Sequence, residues 1–271
     1  MKICCLGDIH YHGNLQDLDL LIDRVENSCT DVDVVAVVGD LTSSGRLDYT
    51  KEVLEAVRRA AGTVPVLIVP GNHDIYLTRE EMDNGINSLL KLSVFNELAE
   101  RTGCVALMKR PFILGDTAFV GSIGWYDYSF APEWLNLPLE AYREKAYGMS
   151  TWADREFVKL PLSDEEFTLA LLDRLEKHVK QVYDAVDKIV VVLHHVPFRE
   201  LVRYKLVPEW DYFSTFMGSD AFGNLIERYS SKVKLALYGH SHDGVDTGFC
   251  REMRGVRTCS CASPAPLLIS I

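Results

Sequence analysis

The sequence contains no apolar run near the roughly 20 residues that span a lipid bilayer. Basic residues are also few: 28 Lys and Arg oppose 39 Asp and Glu, which gives a formal net charge of −11. Nucleic acids and anionic membranes are bound through basic surface, so this balance argues against both. We therefore expect neither a nucleic-acid polymer nor a membrane as a partner. The sequence does not determine the oligomeric state.

Several sequence motifs are missing as well. The seven Cys are odd in number and form no Cys-x-x-Cys motif, so neither a disulfide framework nor a zinc knuckle is predicted. The first ten residues, MKICCLGDIH, carry one Lys and no hydrophobic leader with a cleavage site, and we expect a cytoplasmic protein. No glycine-rich phosphate loop or dinucleotide fingerprint occurs, which gives no support to nucleotide-driven transfer.

The first 76 residues alternate between two kinds of pattern. Short apolar runs at 2–6, 34–38 and 65–69 are typical of buried parallel strands. Helical periodicity separates them, up to about residue 28 and then over about 49–61. A strand–helix–strand–helix–strand order predicts a parallel sheet.

The rest of the chain continues this rhythm with more irregularity. Helices are expected over 84–101 and 164–185, and Ser163 with Glu166 forms a capping box at the start of the second. A turn at Gly115-Asp116 indicates a hairpin. The remaining expected strands lie at 105–108, 111–114, 117–122, 189–193, 233–238, 247–253 and 256–260.

Two aromatic segments, 121–160 and 198–221, interrupt the strand–helix rhythm. The first contains Trp125, Trp134 and Trp152, and the second contains Trp210. Long irregular segments often carry function, and aromatic walls are typical of small-molecule pockets. With no interdomain linker visible, we expect a single domain of residues 1–271 in which these segments form a cap that sets substrate choice. The alternative is that their aromatic side chains only pack against the body of the protein.

Polar side chains directly follow five of the apolar runs. One such residue is more often a helix cap or a turn residue than a ligand, but five clusters together are hard to explain as caps. The carboxyl ends of parallel strands meet at one edge of a sheet, where these side chains would converge. The clusters are Asp8 with His10, Asp40, Asn72 with His73, His194, and His240 with His242.

The types of these side chains indicate a metal centre. Imidazole nitrogen and carboxylate oxygen without thiolate suit divalent Mn, Fe, Zn or Co. Seven candidate ligands, which are these side chains without His73, fit two ions better than one. Two ions about 3.5–4 Å apart form a clamp for displacement at phosphorus. The sequence does not identify the two metals.

The motifs GDIH, GD, GNHD, HHVP and GHSH resemble, in order, the five motifs of the calcineurin-like metallophosphoesterases. The resemblance covers the chain from Asp8 to His242. It implies the α/β metallophosphoesterase fold, a four-layered α/β/β/α sandwich with two central mixed β-sheets. The first motif departs from the nuclease form D-x-H-x-G, because Gly13 comes one residue late. This departure weakens a DNA-repair nuclease interpretation.

The resemblance also implies a role for each residue. Asp40 would bridge two metal ions, with His73 outside the coordination shell, facing the leaving oxygen and held by Asp74. The catalytic pair would then be His73 and Asp74. The implied ligands are Asp8, His10, Asp40 and His242 around one metal, and Asp40, Asn72, His194 and His240 around the other.

The chemistry follows from these residue types. Two cations would neutralise the oxygens of a phosphate ester and lower the pKa of a bridging water, while His73 could protonate the leaving alkoxide. We expect a hydrolase for a compact organic phosphate ester, which could be a nucleotide or another phosphodiester. A phosphomonoesterase and a non-catalytic metal-binding scaffold are the alternatives.

A few further polar residues near the motifs have open roles. His12 and His195 could contact substrate or only pack beside the ligands. Arg199, Arg203 and Lys205 could reach a substrate phosphate, although solvated surface charge explains them as well. His178 falls within a helical pattern and is expected to be structural.

Overall fold

The computed structural model describes residues 1–241 and 249–271. The secondary structure follows the apolar runs and helical patterns, with some changes at their ends. The expected helix over 84–101 begins at Ser88, a separate short helix precedes it over Arg79–Asp83, and an additional strand lies near the end of the chain. No helix in the described ranges is long and apolar enough to cross a membrane.

The strands are β1 (Lys2–Leu6), β2 (Val34–Val38), β3 (Val66–Val69), β4 (Val105–Ala106), β5 (Phe112–Leu114), β6 (Thr117–Ser122), β7 (Ala146–Tyr147), β8 (Ser150–Thr151), β9 (Lys188–Leu193), β10 (Val233–Tyr238), β11 (Cys250–Met253), β12 (Val256–Ser260) and β13 (Leu267–Ser270). The helices are α1 (Leu15–Ser28), α2 (Leu47–Ala60), α3 (Arg79–Asp83), α4 (Ser88–Arg101), α5 (Leu139–Arg143), α6 (Asp154–Phe157), α7 (Asp164–Val182), α8 (Pro208–Ser214) and α9 (Asp220–Arg228).

The longer strands form two mixed sheets. The first has the order β13-β1-β2-β3-β4, in which β13 is antiparallel and the other four strands are parallel. The second has the order β11-β12-β10-β9-β6-β5, with a parallel centre and an antiparallel strand at each edge. The predicted hairpin at Gly115-Asp116 joins β5 to β6. The two mixed sheets of the predicted fold class are confirmed.

Alternating side chains bury both faces of each sheet. In β1, Ile3 and Cys5 belong to the core between the two sheets. Cys4 and Leu6 point the other way and pack with the layer that contains α1, α2 and α4. A third core lies on the outer face of the second sheet and includes Phe167 and Leu171 of α7. Because successive strand residues point to opposite faces, these cores give the order helix, sheet, sheet, helix.

Two disulfides occur in the structure, so the expectation that no disulfide forms is wrong. Cys4 is bonded to Cys29, with the two Cα atoms 5.7 Å apart, because α1 packs its carboxyl end against β1. Cys250 and Cys259 are bonded directly across the β11–β12 pair, with their Cα atoms 4.0 Å apart. Disulfides persist mainly in oxidising compartments, so the cytoplasmic location stays a prediction that counting the free thiols would test.

The two aromatic segments pack on each other beside the second sheet. The Trp134 indole donates a hydrogen bond to Asp211 Oδ2 at 3.1 Å. The Tyr212 hydroxyl donates to the carbonyl oxygen of Ala141 at 2.6 Å. These contacts join segment 121–160 to segment 198–221 and make one aromatic layer from two separate parts of the chain.

Candidate metal centre

The polar clusters lie at the carboxyl ends of strands from both sheets. Asp8 follows β1, Asp40 follows β2, and Asn72 follows β3, all in the first sheet. His194 and His240 follow β9 and β10 in the second sheet. The structure therefore brings these residues together where the ends of two sheets meet, and not at the edge of one sheet. His242, the remaining predicted ligand, lies outside the described residues.

Two glycines allow the strand ends to approach each other this closely. Gly39 has φ +93°, and a Cβ built on it would lie 2.6 Å from Gly71 N and 2.7 Å from His194 Nδ1. Gly71 packs directly against the Asp40 carboxylate and backbone. Any larger residue at either position would push Asp40 away from the neighbouring strand ends.

Several candidate ligands have unusual backbone conformations. Asp8, His10, Asp40 and His240 all have positive φ, between 49° and 67°. Residues other than glycine rarely adopt this region, and such conformations cluster at functional sites. Backbone hydrogen bonds hold them in place, including His10 N to Asp40 O at 2.9 Å.

The Asp40 carboxylate lies at the centre of the cluster. It is 1% exposed, and within the described chain its Oδ2 has no hydrogen-bond partner. The nearest imidazole nitrogens are Nε2 of His194 at 3.4 Å, of His10 at 3.7 Å and of His73 at 4.0 Å. Two ligands bound at about 2.0–2.2 Å to one tetrahedral ion would be about 3.3–3.6 Å apart. The His194 distance falls within this range and the His10 distance is slightly longer, so a divalent metal between Asp40 and these two imidazoles fits the spacing.

The hydrogen bonding of His194 supports the same conclusion. Its Nδ1 lies 2.8 Å from the carbonyl oxygen of Val38, which can only accept, so Nδ1 carries a proton. Its Nε2 then faces Asn72 Oδ1 and His240 Nδ1, each at 3.1 Å. This convergence of oxygen and nitrogen lone pairs requires a proton or a metal cation between them.

Electrostatics at the centre favours the charged forms of both His194 and Asp40. Burial alone would lower the pKa of His194, but the Asp40 carboxylate outweighs burial and raises that pKa to about 9. Burial likewise opposes ionisation of Asp40, whose pKa the neighbouring imidazoles hold well below its usual range. The site thus holds the buried Asp40 anion, with which a bound cation can pair.

His73 lies beside this cluster, but its partner differs from the one that the resemblance implied. His73 Nδ1 lies 3.0 Å from the carbonyl oxygen of Ser43, and its ring stacks on Tyr76 with the centroids 4.3 Å apart. The Asp74 carboxylate instead accepts hydrogen bonds from the backbone N–H groups of Leu41, Thr42 and Gly71. Asp74 therefore holds the two loops together, because those donors are nearer to its buried oxygens than the imidazole is.

Asp154 is part of the site, although no pattern in the sequence indicated it. This residue begins α6 in segment 121–160 and is fully buried. Its Oδ1 accepts a hydrogen bond from Asn72 Nδ2 at 2.8 Å, although 82 residues separate the two. A carboxylate in an irregular aromatic segment has no local signal that would identify it.

The residues with open roles mostly have structural contacts. His195 is 1% exposed, and its Nδ1 faces the carbonyl oxygen of Ile123 at 3.0 Å. Its ring packs against the His240 ring, with the centroids 4.3 Å apart. Arg199 donates to the carbonyl oxygens of Ser129 and Ala131 and links the two aromatic segments. Lys205 lies over the Trp210 ring. Exposed His12 lies near the centre, with its Nε2 3.3 Å from Ser43 Oγ.

Two large clefts lie beside the cluster. One, of about 570 Å³, contains His240 and is lined by aromatic and apolar side chains, including Trp152, Trp210 and Phe213. The other, of about 510 Å³, is more polar and begins at Ser43 and Tyr76, the two residues that contact the His73 ring. Asp40 lies between two groups of side chains that could hold a metal, one with His73 and one with His240, so the two clefts adjoin different groups.

Comparison with known families agrees with this geometry. A family model described as calcineurin-like phosphoesterase matches residues 1–244. The chain belongs to this family, and the predicted family is confirmed. Family membership supports hydrolysis of phosphate esters and binding of divalent metal. No curated protein matches the sequence.

Solved structures with low sequence identity share the fold. The phosphopantetheinyl hydrolase of Mycobacterium tuberculosis is 21% identical with a TM-score of 0.77, covering 97% of this chain and 90% of that chain. GAP50, the anchor in the inner membrane complex of Plasmodium, is 13% identical with a TM-score of 0.52, covering 98% and 72%. A Staphylococcus aureus protein described as a 5′-nucleotidase is 12% identical with a TM-score of 0.50, covering 99% and 50%.

Proposed function

We propose that this protein hydrolyses a compact organic phosphodiester at a centre of two divalent metal ions. The buried Asp40 oxygen carries the proposal, since its Oδ2 has no hydrogen-bond partner among the described residues and the Nε2 atoms of His194 and His10 lie 3.4 and 3.7 Å from it. When bound, the ions would supply Lewis-acid chemistry, neutralising the ester oxygens and lowering the pKa of water. Mn, Fe, Zn and Co all suit the ligand types.

The residues divide into binding and proton-transfer roles. Asp40 would bridge the two ions, with Asp8, His10 and His242 on one side and Asn72, His194 and His240 on the other. The backbone of His240 donates to both Asp8 oxygens at 3.1 Å, which orients that carboxylate. His73 would hold a proton at Nε2 and pass it to the leaving oxygen.

The two clefts favour a diester over a monoester. A diester has two organic groups on phosphorus; one cleft contains His240, and a second is lined by Ser43 and Tyr76, which contact His73. The cleft at His240 is aromatic and apolar and suits a ring or alkyl group. The cleft beside His73 is more polar and would hold the leaving alcohol. A monoester would use only one of them.

The aromatic segments contribute to the cap through fewer residues than the sequence suggested. Trp152 and Trp210 line the cleft at His240. Trp125 is fully buried, and its indole donates to Asp164 at 2.8 Å, which is a packing role. Trp134 is 45% exposed, and its indole donates a hydrogen bond to Asp211. We therefore assign substrate contact in this layer to Trp152 and Trp210.

Substitution of the bridging carboxylate tests the proposal. Wild-type protein reconstituted with Mn²⁺ should approach two ions per chain and cleave bis(p-nitrophenyl) phosphate. Asp40→Asn should depress both metal occupancies, because a bridging ligand serves both ions. Saturation at one ion with full activity would contradict the dinuclear proposal, and loss of only one ion in Asp40→Asn would contradict bridging.

A substrate panel separates the alternatives. It should contain phosphomonoesters, cyclic nucleotides and diesters, including a phosphopantetheinyl ester because the Mycobacterium tuberculosis protein is named for that group. A preference for monoesters would favour the phosphomonoesterase. Metal binding without hydrolysis of any panel member would favour a scaffold, a class of role that fits the description of the Plasmodium protein as an anchor.

A further inference from the structure

Asp154 is the acceptor for four side chains around the candidate metal centre. Its Oδ1 accepts from Asn72 Nδ2 and from the Tyr76 hydroxyl, both at 2.8 Å. Its Oδ2 accepts from the Tyr126 hydroxyl and from the Trp152 indole, both at 2.9 Å. The carboxylate is 0% exposed, so these four neutral donors satisfy a fully buried charge.

An ionised carboxylate can only accept hydrogen bonds, and this decides the orientation of the Asn72 amide. The NH₂ end of the amide must face Asp154, because its carbonyl oxygen at that distance would be repelled. The carbonyl oxygen therefore points towards His194, where it lies 3.1 Å from Nε2. Only this end of the amide can bind a metal, since the NH₂ group has no free lone pair.

The same carboxylate holds one wall of the aromatic cleft. Trp152 lines that cleft beside His240, and the two rings lie 5.9 Å apart between centroids. The Trp152 indole and the Asn72 amide are bound by the two oxygens of one rigid group. A shift of Asp154 would move both the cleft wall and the amide.

We propose that Asp154 is a positioning residue: it fixes the Asn72 carbonyl oxygen towards the metal centre and ties that orientation to the wall of the aromatic cleft. This inference rests on the proposed metal-dependent function. It predicts that Asp154 acts on metal affinity through Asn72, and not only on folding. Partners that orient metal ligands typically change affinity or activity 10–100-fold when they are replaced.

The chain offers a matched control for this role. Asp164 is also a buried carboxylate beside the aromatic layer, and it accepts from the Trp125 indole at 2.8 Å and the Tyr128 hydroxyl at 2.5 Å. None of its partners is a candidate metal ligand. Asp164→Asn should therefore lower thermal stability as Asp154→Asn does, without a comparable change in Mn²⁺ affinity.

The experiment measures Mn²⁺ binding by calorimetry alongside thermal unfolding. In Asp154→Asn, one of the two Mn²⁺ equivalents should bind about 10–100-fold more weakly. In an Asn72→Ala background, the same change should add no further loss, because its target is absent. Equal Mn²⁺ affinities in Asp154→Asn and Asp164→Asn, or additive losses with Asn72→Ala, would overturn the inference.

A reciprocal exchange keeps the test decisive if Asp154→Asn alone folds poorly. Asn72→Asp places two carboxylates against each other and should weaken Mn²⁺ binding. Adding Asp154→Asn restores a donor opposite an acceptor and should recover part of that loss. No recovery in the folded double variant contradicts a positioning role. If wild-type protein binds no Mn²⁺ and cleaves no ester, the proposed function itself fails, which is a separate result.

Discussion

Replacement of His73 by Asn distinguishes an acid from a metal ligand. Because the Ser43 carbonyl oxygen 3.0 Å away can only accept, His73 Nδ1 carries a proton and Nε2 faces the cluster. Nε2 lies 4.0 Å from Asp40 Oδ2. If Nε2 holds a proton, it can pass it to a leaving oxygen. If it binds a metal, it must be unprotonated, so the two roles exclude each other in one state of the enzyme.

The expected effect on turnover is large compared with the effect on stability. A missing general acid slows turnover about 10²–10⁴-fold, or about 3–5 kcal/mol of transition-state stabilisation. The main packing interaction that the substitution removes is the stack on Tyr76, with the ring centroids 4.3 Å apart, and such pairs contribute about 0.5–1.5 kcal/mol. His73→Asn should therefore fold, and its loss of activity should exceed its loss of stability.

Leaving groups of different basicity complete the assay. A nitrophenolate needs little protonation, so its release should slow much less than that of an alkyl alkoxide from a matched diester. Metal content should stay at the wild-type value. His178→Asn, on α7, is the matched histidine control and should behave as wild type. Loss of one metal equivalent would make His73 a ligand, and equal slowing for both leaving groups would refute the acid role.

Three further outcomes are expected from the same geometry. Because the pKa of His194 is raised to about 9, His194 carries a second proton in the metal-free protein below that pH, and Mn²⁺ must displace it. The affinity for Mn²⁺ should therefore rise about tenfold per pH unit below pH 9. Calorimetry in two buffers should detect the released proton. Trp210→Ala should raise the Michaelis constant for an aromatic diester about 5- to 150-fold, the equivalent of one stacking contact, whereas Trp125→Phe should lower the melting temperature and leave specificity unchanged. Thiol labelling of denatured, unreduced protein should modify three Cys if both disulfides form, and seven would indicate a fully reduced protein.

The sequence predicted the residues whose positions depend on local structure. Asp8, Asp40, Asn72 and His194 each come directly after an apolar run that ends at the same side of a sheet. Strand periodicity and a turn are local properties, so a single sequence reveals both. The assignment of strands to sheets depends on long-range pairing, which explains why convergence at one edge was expected and a junction of two sheets was found.

Contacts distant in sequence were not predictable in the same way. Asp154 contacts Asn72 across 82 residues, and Cys4 reaches Cys29 across 25. Neither pair has a spacing motif, because their proximity follows from how α1 and the aromatic layer pack. The role implied for Asp74 also changed, since its hydrogen bonds to three backbone N–H groups depend on the close approach of two loops.

The construction of the centre indicates why a metal would stabilise it. Four candidate ligands have positive φ, and conformations of this kind cost on the order of 1–3 kcal/mol each when the residue is not glycine. Burial of the Asp40 carboxylate, whose Oδ2 has no hydrogen bond from the residues that the structure describes, adds a desolvation cost that the neighbouring imidazoles offset in the metal-free protein. Structural packing does not require these features, because an apolar strand end would avoid all of them. A bound cation would pair with the buried charge and use the strained side chains as ligands, so metal binding and folding of this edge should stabilise each other.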